Sequence, residues 1–511
     1  MRTNYSVIGT LVLLFGIGLS TDLRAASALS RSRRDLLLSP IVRLCATLVL
    51  LLVAPWVIVH VIGIDGLFSK SHSFLLMVSI ALAGMIAYTW CRYLTWLDVF
   101  EPERARYMLI AFGMGALFSI PVPYVYDWIQ QAFGMHVNGE KWNDLGYSVS
   151  VIGGVEETAK FLPLLILMFV TRQVDEPYDF ILYGSLSALG FSFMENIAYL
   201  QATGLSTVMG RALTASVAHM MFTSVIAYGI ALRLHKKDGS ALLTGLLCFL
   251  IASSAHGFYD FWLLSDDRPH AISLLFFLGC AQWWVVMKNN LIDLSPQFNT
   301  RVKLGSSMFR YRIMNGTLAV LGVAYIAMAA MGNAVTADRF LWNNSYSTSC
   351  MLLLIAMNFS SFALIEGYVE PFRISALKRG FVPRMDWEME MSGMRVTLHD
   401  RPHSALSHWR SLAAYLPVEG AITARVAADG RTDFHLFVPD KPMAIPGVMH
   451  DQFLLVLHKD FDALFPDKYV LMELVGLKRQ FVPAAGEIDA DNMVALQYVL
   501  AKEITGVITP N

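Results

Sequence analysis

Two adjacent carboxylates and an amine, in Glu156-Glu157-Thr158-Ala159-Lys160, lie in the middle of an otherwise apolar segment of membrane length. Each ionisable group at bilayer depth costs roughly 2.5–3.5 kcal/mol on insertion scales, so such residues face a protein interior and mark function. On a helix Glu156 and Lys160 are spaced i,i+4 and Glu157 and Lys160 i,i+3, so the three share a face and partly neutralise one another. One Glu with one Lys would be a structural ion pair. The second carboxylate leaves an acid that Lys160 alone cannot satisfy.

Three further apolar segments carry polar groups that a lipid-facing helix would avoid: Glu195 and Asn196, then His219, then His256 and Asp260 at i,i+4. Singly, each has a structural explanation, an Asn bridging helices or a hydrogen-bonded core His. As a set they supply peptide hydrolysis with a base for water and a partner for the oxyanion. In one mechanism Glu156 or Glu157 takes the water's proton and Asn196 or a protonated histidine faces the oxyanion. In the other, His219, His256 and one of Glu157 or Glu195 hold a catalytic Zn²⁺ with Glu156 as base. The HExxH zinc signature is missing, and the residues alone leave both mechanisms open.

The elements that must position these groups are membrane helices. With 55% hydrophobic and 15% charged residues, the chain reads as a polytopic α-helical membrane protein. Its net charge of −1 gives nucleic-acid binding no electrostatic support. Apolar runs predict eleven spans, the first over Ser6 to Ser20 and the others centred near residues 50, 80, 115, 162, 189, 224, 250, 277, 324 and 354. Loops rich in Lys and Arg, such as those with Arg24, Arg31, Arg33 and Arg34 or with Arg233, Lys236 and Lys237, alternate with segments holding one basic residue each, among them Lys70, Lys141, Arg211, Arg268 and Arg339. By the positive-inside rule the N-terminus is outside and the C-terminus cytoplasmic. Counted at about 1.5 Å per residue from the cytoplasmic ends, Glu156, Glu195, His219 and His256 then share one level in the outer half of the bilayer. The segment from Gln130 to Tyr147, with Phe133, Trp142 and Tyr147, leads into the glutamate helix as an interfacial anchor or a substrate gate.

Past about Glu370 the apolar pattern alternates and predicts a small cytoplasmic α+β domain: a hairpin turning at Asp429-Gly430, strands over Phe453 to Leu457 and Tyr469 to Leu477, and a closing helix capped by Asp489 or Asp491 and running through Lys502. Its histidines, His403, His408, His435, His450 and His458, have no metal-ligand spacing. The five cysteines form no CxxC pair and read as core residues.

The ordered motifs resemble the PrsW family of intramembrane proteases, distant relatives of the CAAX-processing and bacteriocin-processing membrane proteases. The family's EExxK element matches Glu156-Glu157-Thr-Ala-Lys160, its FxxxEN element matches Phe191-Ser-Phe-Met-Glu195-Asn196, and its two later histidine elements match His219 and His256. The resemblance implies a bacterial inner-membrane protease in which the glutamate pair is essential and the histidines complete the site. It also implies a membrane-protein substrate, such as a single-span anti-sigma factor. The expected domains are N-terminal spans over 1–104, the protease core over 105–290, additional spans over 291–370 and the tail over 371–511, through which the chain would form a homo-oligomer or recruit a cytoplasmic partner. Two other classes place the same residues differently: a proton-coupled transporter, whose relay should cross the bilayer, and a non-catalytic receptor or scaffold of the same fold. The gathering of polar residues at one level favours a site over a path.

Overall fold

A computed structural model describes residues 39–360, with breaks at 70, 99–101, 172, 237–239, 265–267 and 296–305, and a few single residues before 39. In the tail it describes residues 393–400, 415–428, 431–445, 448–457, 470–480, 488 and 492–503. The chain divides into two compact units, one of Ala46–Phe298 and Phe309–Pro383, the other of Met1–Cys45, Asn299–Met308 and Arg384–Asn511.

The first unit is helical. Its described elements are α1 (Pro40–Val57, prolonged by a π-helical turn, Ile58–Gly63), α2 (His72–Leu97), α3 (Ala105–Ser119), α4 (Val122–Phe133), α5 (Lys141–Tyr147), a π turn (Ser148–Gly153), α6 (Gly154–Val170) and α7 (Pro177–Thr203). A connector at Gly204–Gly210 and a third π turn, Arg211–Ala215, lead into α8 (Ser216–Lys236), followed by α9 (Ala241–Phe261), α10 (Ala271–Asp293), α11 (Ser306–Met331) and α12 (Ala334–Ser360). Seven continuous helical stretches among the described residues are long and apolar enough to cross a membrane, and one of them, Pro177–His235, holds both α7 and α8. The protein is therefore polytopic. Nearly all of the expected first span lies outside the described residues. The stretches expected near 162 and 354 are helical as α6 and α12 but are not among the seven; in α6, Glu156, Glu157 and Lys160 dilute the apolar run.

Helix α7 is the post around which the others stand. It starts at a capping box in which Asp179 accepts the Glu176 amide at 2.7 Å, with Pro177 in the first turn. Between Phe180 and Met194 it is apolar or small all round, and it packs against α2, α3, α6, α8 and α10. Two glycine pairs set the closest crossings. A Cβ on Gly190 would strike the Phe112 carbonyl, and one on Gly115 the Ser187 carbonyl, so α3 and α7 touch backbone to backbone. Likewise a Cβ on Gly153 would strike the Ser253 carbonyl and one on Gly257 the Ser148 carbonyl, which presses the turn before α6 onto α9. That second crossing brings Glu156 and His256 together.

The described tail is a closed antiparallel barrel, β1 (Arg395–Asp400), β2 (Val418–Ala428), β3 (Arg431–Pro439), β6 (Phe453–Leu457), β7 (Val470–Leu477) and β8 (Met493–Glu503), with a small ribbon of β4 (Met443–Ile445) and β5 (Val448–His450). Strands β2 and β3 form the expected hairpin, paired down to Ala428 opposite Arg431; the turn itself, Asp429-Gly430, lies outside the described residues. So do His403, His408 and His458. The expected closing helix is corrected: residues 493–503 are strand β8, because they pair on one side with β7 and on the other with β1, which closes the barrel. The described tail is thus all β. Its inward residues, among them Leu398, Ile422, Phe437, Phe453, Leu474 and Val499, form one apolar core.

Candidate active site

Helix α6 carries the glutamates and sorts them to different surroundings. Glu156 lies on the wall of a cavity of about 550 Å³, which Glu195, His219, His256 and Asp260 also line. Its Oε1 accepts a hydrogen bond from Tyr126 of α4 at 2.9 Å. Glu157 is fully buried behind it, held by Thr223 Oγ1 at 2.7 Å and by Lys160 at 3.0 Å. Lys160, also fully buried, donates to Glu156 at 3.0 Å and sits 4.6 Å above the Phe191 ring. Pro163 removes one helical donor a turn later. Ser187 of α7 donates to the Lys160 carbonyl at 2.6 Å and ties that turn to the central helix.

Each histidine is oriented by a carboxylate. His219 Nε2 stands 2.7 Å from Glu195, which can only accept, so Nε2 carries the proton and Nδ1 presents a lone pair. Lys160 Nζ meets that lone pair at 2.7 Å. His256 Nδ1 lies 2.9 Å from Glu157 Oε1, leaving Nε2 turned toward Asp260 at 3.2 Å and Glu156 at 3.6 Å. One donor atom from each of Glu156, His219 and His256 lies within 4.8 Å of the others. One carboxylate and two imidazoles suit Zn²⁺, and carboxylates behind the rings are the usual outer partners of metal-bound histidines. The Lys160 ammonium now engages the lone pairs of Glu156 and His219, so the set fits an ion only with Lys160 turned to its remaining partner, Glu157, at 3.0 Å.

Asn196 is buried next to the cavity wall: its amide nitrogen donates to Ser216 at 3.0 Å and its oxygen accepts from Arg211. The structure places it between helices, where it serves Arg211. Two residues of the site carry no motif in the sequence. Arg211 reads there as a lone outer-loop charge, but its guanidinium is buried against Glu195 at 2.6 Å and lies 4.4 Å from the Tyr199 ring. Its signal is its place two turns before His219 in one apolar run. Tyr126 sits just past Pro121 and Pro123, in a span that reads as broken; the structure shows α3 and α4 in nearly continuous succession. The π turns at Ser148–Gly153 and Arg211–Ala215 immediately precede helices that carry site residues, a common place for such insertions.

The segment that leads into the site is clamped. Arg268 donates to Asp144 of α5 at 2.5 Å and to the Phe261 carbonyl at the end of α9 at 2.7 Å. Burial would raise the Asp144 carboxyl, but the Asn138 amide, Arg268, Asn143 and the Gly139 amide outweigh it and hold the group below its ordinary value. This clamp joins the two elements that lead into Glu156 and out of Asp260.

Residues 103–287 match the model of the PrsW family intramembrane metalloproteases. The chain is 30% identical to protease PrsW of Geobacillus kaustophilus over 193 residues, 37% of this chain and 81% of the relative. The chain belongs to the PrsW family. Similar relatives are protease PrsW of Bacillus subtilis, 27% identical over 37% of this chain and 82% of the relative, and that of Clostridioides difficile, 29% identical over 46% and 95%. No solved structure matches. The PrsW match contains Glu156, Glu157, Lys160, Glu195, Asn196, His219, His256 and Asp260, as well as Tyr126 and Arg211; α11, α12 and the barrel lie beyond it.

Proposed function

We propose that the chain is an intramembrane peptidase that hydrolyses a peptide bond of a membrane-protein substrate in the cavity between α4, α6, α7, α8 and α9. The observation that carries this reading is the convergence of Glu156, His219 and His256 on that cavity. These three would hold a Zn²⁺, which when bound polarises the scissile carbonyl and lowers the pKa of a coordinated water. Glu157 and Glu195 then act behind the rings, keeping His256 and His219 in the tautomers that leave a nitrogen for the ion. This exchanges the roles read from the sequence, where Glu157 or Glu195 is the ligand and Glu156 the base. Lys160 keeps Glu157 as a partner when Glu156 and His219 turn to the ion. Asp260, at the cavity wall, takes the water's proton and passes it to the leaving amine, and the Tyr126 hydroxyl faces the developing oxyanion.

The cavity opens toward the extracytoplasmic side of a bacterial inner membrane in the orientation given by the Lys and Arg counts, N-terminus outside and tail in the cytoplasm. The substrate would be a single-span regulator such as an anti-sigma factor. Residues 105–290 form the protease core, preceded by spans over 1–104 and followed by further spans and a tail that recruits a partner or a second copy. The test is reconstitution in proteoliposomes with a panel of synthetic single-span peptides. Glu156→Gln, which removes a charged ligand of the ion, should abolish hydrolysis, with a smaller loss of thermal stability than Glu157→Gln. Metal analysis should find bound zinc in the unsubstituted protein and none after His219→Ala with His256→Ala. Full turnover by Glu156→Gln would end the protease reading; turnover without zinc would restore the glutamate-only mechanism.

A further inference from the structure

A second cavity, of about 520 Å³, lies against the first and shares a wall with it made by Tyr199, Arg211 and Tyr259. Its other side is built partly by Thr348 and Met351 of α12, which lies beyond residue 287, where the family match ends. Both side chains are largely buried there. Helix α12 is pinned in place near its end: the Phe359 carbonyl accepts from Tyr93 at 2.9 Å, and the Phe359 ring packs on Trp90, Tyr93 and Trp284 with centroids 5.3–5.5 Å away. Trp90 also donates to the Ala212 carbonyl at 2.9 Å, inside the π turn that carries Arg211. One aromatic group thus fixes both the shared wall and the helix facing it.

The lining mixes hydroxyls with apolar side chains: Thr207, Thr214, Ser273 and Thr348 beside Met209 and Met351. An acyl chain has no use for hydroxyls. An extended polypeptide does, because its main-chain N–H groups need acceptors away from water: Thr214 and Ser273 donate their own protons to the Gly210 and Tyr259 carbonyls at 2.8 and 2.7 Å and Thr207 pairs with Thr203 at 2.9 Å, and each hydroxyl oxygen can still accept. The geometry points to a second substrate subsite: this cavity takes the stretch of an extended membrane-protein chain next to the bond being cut, and α12 sets which chains are accepted. The inference rests on the peptidase reading of the first cavity. It gives an element absent from the family match a direct part in specificity.

The experiment uses the full chain in proteoliposomes, the same peptide panel, and for each cleaved peptide a pair of versions shortened to two residues past the cut on either side. Met351→Trp, which fills the cavity, should raise KM for full peptides about tenfold or more and reorder the panel. Its kcat, and its hydrolysis of the peptide shortened on the side that enters this cavity, should stay as in the unsubstituted protein. Thr348→Val, nearly isosteric, should move KM the same way by less, and carries the test if the Trp variant unfolds. Equal losses on full and both shortened peptides, or no change in either variant, would overturn the subsite while leaving the peptidase reading standing. A photoreactive residue in place of Met351, in a Glu156→Gln background, should crosslink to bound peptide; adducts with lipid alone would also overturn it. If the unsubstituted protein neither cleaves nor binds any peptide of the panel, both readings fall together.

Discussion

The helical unit and the tail barrel bury different things. The barrel buries mostly apolar residues, from Leu398 through Phe437 to Val499, with His435 as its one buried polar side chain among the described residues, so its burial is spent on stability. The helical unit buries Glu156, Glu157, Lys160, Asn196, His219 and His256 within one network. Replacing a buried ion pair by apolar residues is often neutral or stabilising, so the fold alone gives no reason to keep this one. Chemistry does. A second contrast runs within the network, between Glu156 at the cavity wall and Glu157 behind it. Both pair with Lys160 at 3.0 Å, but the second also holds His256 and Thr223 and so costs more to change.

That contrast can be broken directly. Glu157→Gln leaves Lys160 buried with one carboxylate fewer, and removing one partner of a buried ion pair costs about 3–5 kcal/mol. Glu156, still 3.0 Å from Lys160, offsets part of this loss. The expected outcome is a loss of activity in both variants and a larger fall in thermal stability for Glu157→Gln than for Glu156→Gln. Thermal unfolding of the two variants in the same detergent checks it. Equal stability would show that the two glutamates are interchangeable and that the division of the α6 face is wrong.

Much of the site was legible because membrane burial makes polar residues conspicuous. Glu156, Glu195, His219 and His256 stand out against apolar runs, and helical rise alone puts them at one level. Arg211 and Tyr126 were not legible, since an arginine at a span end and a tyrosine near prolines are both ordinary at a membrane surface. The π turns that place Arg211 have no sequence rule behind them. Asn196 reads from the sequence as a hydrogen-bonding group that could face the oxyanion, but its direction is set by Ser216 and Arg211 on the next helical stretch. In the tail, Met493 to Lys502 carries apolar residues that suit a helix face as well as a strand. Pairing with β1, far away in sequence, decided between them.

The clamp between Asp144 of α5 and Arg268 sharpens the comparison by adding a charge pair outside the cavity that serves position. Asp144 is held below its ordinary carboxylate value, so its contribution is fully present above that value, 3.8, and is lost as pH falls through the lower folded value. Asp144→Asn should therefore lower stability by about 1.5–3 kcal/mol at neutral pH, the range for hydrogen bonds to a charged group. The difference from the unsubstituted protein should shrink as pH drops below 3.8. Unfolding temperatures measured for both proteins across that range decide it. A gap independent of pH would mean that the carboxylate's charge is not what the Asn138 and Gly139 amides and Arg268 recognise.

The smallest effect is expected from the barrel. Strand β1 pairs with both β2 and β8, so the sheet closes on itself and leaves no edge that needs another element. Its core, from Met394 to Ala501, is filled by its own side chains. Every residue lining the candidate active-site cavity comes from the helical unit, between Ser119 and Leu264. Ending the chain after Arg384 should then leave kcat on a synthetic single-span peptide within about threefold, well under 1 kcal/mol in barrier height. Oligomeric state, or the choice among full-length substrates, should change instead. Both are readable on one preparation by size-exclusion chromatography and peptide hydrolysis. If the shortened protein stays folded and monodisperse yet has lost all hydrolysis, the barrel takes part in the reaction, and the separation between a unit that keeps buried charge for chemistry and one that buries apolar surface for stability is not a separation of function.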